Sequence, residues 1–280
     1  MTGETSTSRA STVPNRTGGG FPGAVLAEWT KLWSVRSSWW CLVLTIVLTL
    51  PLAAFSGYGA HVQIANGIAE ADSAGAGGAP QIAVDAVFYV AQFTVIALAT
   101  MFIAGEYANG SIRATLQWIP VRTRMLLAKV TALAPMLLVL GALLGGVSIA
   151  LAGMLLSPYG PPLTLGSAIV TALSIGCYLA LLGGMAVGVG VALRSVAGTL
   201  TVMVLLLLIS PLIASMVGVP GLIDALPGVA GLSGMLGPDI VNPLTRSLPP
   251  YGRLAGLGIL AAWAVAALLL GNTVLRRRDA

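Results

Sequence analysis

MLLAKVTALAPMLLVLGALLGGVSIALAGMLL, residues 125–156, carries one ionisable side chain, Lys129, in an otherwise apolar run. About 20 consecutive apolar residues cross a hydrocarbon core of roughly 30 Å as a helix. This stretch exceeds that length, and the chain around it repeats the pattern. An apolar window of about 20 residues marks further spans at 38–58, 86–105, 165–193, 196–217 and 252–275. Composition agrees, with 57% hydrophobic and 8% charged residues and a mean hydropathy of +0.94. A soluble domain carries roughly 25% charged residues to cover its surface. The expected fold is an all-α polytopic membrane protein with six transmembrane helices, and an even number of spans puts both termini on one side. Runs 125–156 and 165–193 are longer than the bilayer needs, so they must tilt, kink or protrude, with Pro135 a natural kink.

The basic residues orient the spans, because Lys and Arg near span ends mark the cytoplasmic side. Arg9, Arg16, Lys31 and Arg36 precede the first span, and Arg113, Arg122, Arg124 and Lys129 lie around the second link. Arg194 joins the fourth and fifth spans, and Arg276, Arg277 and Arg278 close the chain. Of the 14 Lys and Arg residues only Arg246 and Arg253 fall opposite, with Glu70, Asp72, Asp85, Asp224 and Asp239. Both termini are therefore expected in the cytoplasm. A net charge of +5 distributed over span ends, rather than gathered in one patch, gives nucleic acid nothing to grip. Residues 1–22 are polar, rich in Ser, Thr and Gly, and lack the apolar core of a signal peptide, as expected of a disordered cytoplasmic tail. Cys41 and Cys177 fall inside apolar runs as buried thiols, so neither a disulfide framework nor a metal site is expected.

Two stretches outside the spans hold the candidate functional residues. In AVLAEWTKLWSVRS, about 24–37, helical spacing puts Val25, Trp29, Leu32 and Trp33 on one face and Glu28 and Lys31 on the other. That pattern predicts an amino-terminal interfacial helix with tryptophans at headgroup depth. In AGEYANGSIRATLQWIPVRTR, within a loop at about 106–124, Asn109-Gly110 reads as a turn and Ser111 as the cap of a short helix through Ile112, Leu116 and Gln117. From the loop alone, that helix either docks a soluble partner or lies on the membrane, anchored by Arg113, Arg122 and Arg124. Lys129, one turn inside the third span, is expected to snorkel to the surface.

Together, AEWTKLWSVRSSWW, GEYANGSIRATL and IPVRTRMLLAK resemble ATP-binding cassette (ABC) transporter permeases of the type-2 export class, the ABC-2 type membrane subunits, in their actinobacterial branch. The order of elements from residue 24 to residue 278 is also similar. The resemblance implies a six-span permease domain over residues 23–280 in the plasma membrane, paired with a second permease chain and with ABC ATPase subunits. It implies that Glu106, Ser111, Arg113 and Leu116 form a coupling helix toward the ATPase, with Glu28, Trp29, Lys31 and Trp33 on the interfacial helix. The phosphate-binding G-x-x-x-x-G-K-[ST] loop needs Lys followed by Ser or Thr. Lys31 and Lys129 are followed by Leu32 and Val130, so the chain is not expected to be an enzyme. ATP and Mg would belong to the partner, and no cofactor is expected in this chain.

The link at about 218–251 is rich in Gly and Pro, and its apolar stretches 222–226 and 229–236 are too short to span. They are expected to dip partway into the outer leaflet, either as an external gate, as the resemblance suggests, or as a loop folded back on the bundle. Gly231-Leu232-Ser233-Gly234 is reminiscent of a rhomboid protease nucleophile, but the sole histidine, His61, lies after the first span, far from it in sequence. Gly141/Gly145, Gly184/Gly188 and Gly252/Gly256, each four apart, admit close helix contacts, most simply within the bundle. Ionisable residues well inside the spans look nearly absent, which argues against an ion-coupled carrier. The expected function is export of a hydrophobic or amphiphilic substrate: a drug, an antibiotic or a lipid. A non-transporting membrane scaffold or regulator, and a secondary carrier, are the alternatives.

Overall fold

The computed structural model describes residues 20–68, 78–108, 110–112, 115, 117, 121–159, 164–217, 221–238 and 240–277. These are mostly helical and form no strand, apart from one isolated bridge between Asn242 and Ser247. Helix α1 covers Gly20–Ser34, with α2 at Arg36–Ala65, α3 at Gly78–Ala108, α4 at Arg122–Leu156 and α5 at Leu165–Leu193. Helix α6 covers Val196–Val217, short α7 Pro227–Leu236, and α8 Arg253–Arg277. Six of them, α2, α3, α4, α5, α6 and α8, are long and apolar enough to cross a membrane. The chain is a multi-pass membrane protein. The tail expected over 1–22 lies outside the described residues as far as residue 19, and helix already begins at Gly20.

Helix α4 has 35 residues, about 52 Å at 1.5 Å per residue, and runs unbroken through Pro135. That length exceeds a hydrocarbon core of roughly 30 Å. Helix α3 begins at Gly78, ahead of the run at 86–105, and so takes Asp85 into a span. It contains a wide turn at Val87–Ala91, and α6 contains another at Leu205–Ile209. Such π-turns release the regular backbone ladder locally. Between α5 and α6 the link is two residues long. Arg194 takes a left-handed φ of 54°, and Ser195 Oγ then caps α6 by accepting from Gly198 N at 3.2 Å.

Helix α3 is the most enclosed, with 67% of its apolar window buried against 22% for α6 and 28% for α2 and α8. The rest of the chain therefore leaves most of the apolar windows of those three uncovered. Helix α5 lies along α3, with α4 and α8 on its flanks, and small residues set the spacing. A Cβ on Gly141 would stand 2.8 Å from Gly176 Cα, and one on Gly271 2.5 Å from Gly188 O. No side chain fits at such distances, so α4 and α8 meet α5 backbone to backbone. The glycine pairs expected from spacing hold only in part. Gly141, Gly145, Gly188 and Gly256 face neighbouring helices of the same chain, whereas a Cβ on Gly252 would meet nothing within 4 Å.

Helix α7 is buried at every one of its ten residues. Gly231 lies on the Tyr178 ring of α5, and Gly234 and Gly256 bring α7 against α8. The apolar stretch 229–236 thus folds back into the bundle, while 221–225 forms turns outside it.

Candidate functional site

The inward stripe of α1 is Ala24, Glu28 and Leu32, spaced by one turn and buried. Sequence periodicity assigned Glu28 to the outer, polar face. The structure reverses that assignment: Glu28 is 0% exposed, while Trp29 is 37% and Leu26 66% exposed. A carboxylate is tolerated inside only where cations meet it, and here two do.

Lys129 Nζ donates to Glu28 Oε2 at 2.7 Å and to Glu106 Oε1 at 2.9 Å. Lys31 Nζ donates to Glu28 Oε1 at 2.9 Å, to Glu106 Oε1 at 3.1 Å and to Thr115 Oγ1 at 3.0 Å. Two carboxylates and two ammonium groups thus alternate in a closed, neutral ring that joins α1, the end of α3 and the start of α4. Lys129 also lies 4.5 Å from the centroid of the Phe102 ring, and Phe102 O accepts from it at 3.5 Å. The expected snorkelling of Lys129 is therefore wrong. Its side chain is fully buried because Glu28 and Glu106 offer a better partner than the interface does.

Lys31 stays 39% exposed and is the ring's outlet to water. Burial alone pulls its pKa down, but hydrogen bonds and charge from Glu28 and Glu106 outweigh that and hold it above the usual lysine value. Glu106 Oε2 is buried without a partner, leaving one acceptor of the ring unused. In the loop, Gly110 turns at φ 73°, and Thr115 N donates to Ser111 O at 3.1 Å, one turn of helix. Thr115 thereby ties this turn to Lys31. Arg113 and Leu116 lie outside the described residues. Trp29 and Trp33 meet edge to face at 5.6 Å, and Trp33 meets Trp39 at 5.2 Å. Trp39 Nε1 donates to Trp33 O at 3.0 Å, fixing the corner between α1 and α2.

Of the residues expected to act, Glu28, Lys31 and Glu106 come together, and Ser111 stands one turn from Thr115 in the same loop. Lys129 and Thr115 were missed as members. The signal for Lys129 was present: a lone charge inside an apolar run needs a counter-charge, and Glu28 and Glu106 were the acids at that end.

At the opposite end, Arg253 closes α7 by donating to Met235 O and, at 3.0 Å, to Leu236 O, with Thr171 Oγ1 at 3.4 Å. Ser233 accepts from Asn242 Nδ2 at 2.8 Å, which holds the link against α7. Tyr251 donates to Asp224 O at 2.6 Å, and burial pushes its phenol up to about 12, so it stays a donor at neutral pH. His61 Nδ1 donates to Leu155 O at 3.0 Å, beside Tyr58 and Tyr159, away from Ser233. Asp85, placed outside the spans by its sequence position, lies in the first third of helix α3 and accepts from Gln81 Nε2 at 2.9 Å. Comparison of the chain with protein-family models and with curated proteins finds no match.

Proposed function

We propose that the chain is the membrane-spanning permease subunit of an ATP-binding cassette exporter, working in the plasma membrane with cytoplasmic termini. The observation that carries this reading is the closed ring of Glu28, Lys31, Glu106 and Lys129, with Thr115 attached. A force applied to the loop around Ser111 and Thr115 passes through Lys31 to α1, and through Glu106 and Lys129 to α3 and α4. Helix α1 lies along the membrane interface, with Trp29, Trp39 and Trp40 toward the headgroups. ATP binds and is hydrolysed on a separate ABC ATPase subunit, and a second permease chain completes the path. The exported substrate is hydrophobic or amphiphilic.

The test is affinity purification of the chain from its native membrane in mild detergent, with vanadate-sensitive ATPase activity assayed on what comes with it. A stoichiometric ATPase subunit supports the reading. A chain that comes down alone from well-solubilised membranes sinks it.

Asp85 gives the ion-coupled carrier a specific footing, because a carboxylate inside a span is a natural coupling site. That reading requires transport without ATP and its loss in Asp85→Asn. Retained ATP-dependent export in Asp85→Asn would remove it.

A further inference from the structure

We propose that the junction of α4 and α8 binds the headgroup of an anionic phospholipid, with its acyl chains along the outer faces of the same two helices. The charge balance at this end of the bundle is the starting point. Glu28 and Glu106 are taken up by Lys31 and Lys129, two acids against two bases. Arg124, Arg276 and Arg277 lie at the same end. Among the described residues, no carboxylate comes within ion-pair distance of Arg124, Arg276 or Arg277, and all three are exposed.

The junction is held in place from within the chain. Arg122 Nη1 donates to Leu275 O at 2.5 Å, closing the carboxyl end of α8, and Thr123 Oγ1 donates to Asn272 Oδ1 at 2.9 Å. Arg276 Nη2 donates to Thr123 Oγ1 at 3.0 Å, which draws its guanidinium across to the start of α4. The first turn of α4 and the last turn of α8 thus present Arg124, Arg276 and Arg277 together.

What lies behind these arginines decides between a lipid and a dissolved anion. Leu127, one turn from Arg124 on α4, is 49% exposed. On α8, Leu269 and Leu270 are 59% and 64% exposed. They stand seven residues, two turns, before Arg276 and Arg277, and so on the same faces. Each exposed arginine therefore continues an exposed apolar stripe, at a separation of roughly 5 to 10 Å along the helix. A phosphodiester with acyl chains matches both parts of that surface, whereas inorganic phosphate matches only the first.

The experiment uses the full chain in nanodiscs of phosphatidylcholine containing phosphatidylglycerol, released for native mass spectrometry, with retained lipid counted. Phosphatidylglycerol should stay bound in preference to phosphatidylcholine. Arg124→Gln, Arg276→Gln and Arg277→Gln should each weaken that preference, by about fivefold per arginine. Arg246→Gln, at the far end, should leave it unchanged. Arg277→Gln keeps the test open if Arg124→Gln or Arg276→Gln does not insert, since Arg277 makes no side-chain bond within the described residues. Equal retention of both lipids, an unchanged preference in Arg277→Gln, or displacement of the lipid by millimolar inorganic phosphate would each overturn the proposal. The readout needs no transport assay, so it stands or falls apart from the exporter reading.

Discussion

Replacing Lys129 with Met, which keeps length and removes charge, should be among the most damaging single changes in this protein. At 2.7 Å from Glu28 and 2.9 Å from Glu106, each attraction is worth about 6 kcal/mol gross at an effective dielectric of 20. Desolvation of each ion offsets several kcal/mol of that. Removing one partner leaves two carboxylates facing Lys31 alone, one of them fully buried, and the expected net loss is about 3–5 kcal/mol. Glu28→Gln leaves the opposite excess, two ammonium groups on Glu106, at a similar cost. The double variant is the informative one. It restores neutrality, because Lys31 and Glu106 still pair at 3.1 Å, so its loss should fall well short of the sum, by at least 2 kcal/mol. Unfolding by denaturing detergent in mixed micelles measures all three, with fluorescence of the Trp29, Trp33 and Trp39 cluster reporting the release of α1. If the single changes each cost under about 0.5 kcal/mol and simply add, the ring is a solvated surface arrangement and the reasoning fails.

Three further outcomes are expected. The contribution of Lys31 should be fully present below its unfolded pKa, near 10.5, and be lost as pH rises through its higher folded value. The tryptophan signal of α1 should thus hold to about pH 10 and change above it, and a change centred near pH 7 would contradict the assignment. Gly188→Ala places a Cβ within 2.5–2.7 Å of the Ala267 and Leu268 backbone and should cost about 1–3 kcal/mol or more. Gly252→Ala, with nothing within 4 Å, should stay within about 0.5 kcal/mol, and equal melting temperatures for the two would refute the backbone contact of α5 and α8. Arg253→Gln removes the closure of α7 and should raise hydrogen exchange over residues 227–236 without disturbing α4, at a cost of about 1–3 kcal/mol. Unchanged exchange there would mean that burial alone holds α7.

The spans were legible because an unbroken apolar run of about 20 residues has few alternatives to a membrane helix. The runs expected at 165–193 and 196–217 coincide with α5 and α6. Boundaries moved where polar residues lie inside a helix. Asp85 kept the second run from reaching back to Gly78, since hydropathy cannot know that Gln81 would bond its carboxylate. The site was half legible. Glu28, Lys31 and Glu106 drew notice as charges at span ends, yet Glu28 was assigned to the wrong face. Amphipathic reading sorts side chains by water affinity, so it turns a charge outward wherever its partner lies far along the chain.

The sequence by itself determined that this is an all-helical protein with six membrane-length helices, and that its arginines and lysines crowd one end. Those properties are sums over local residues, and the solvent reads them one segment at a time. Only the tertiary structure decided that Lys129 turns inward to Glu28 and Glu106, partners 101 and 23 residues away. It alone set α7 against Tyr178 and brought Gly188 onto Gly271. A buried charge is stable only beside its counter-charge, and two glycines matter to each other only when their helices touch. Both conditions are distances in space, which no local run of residues encodes.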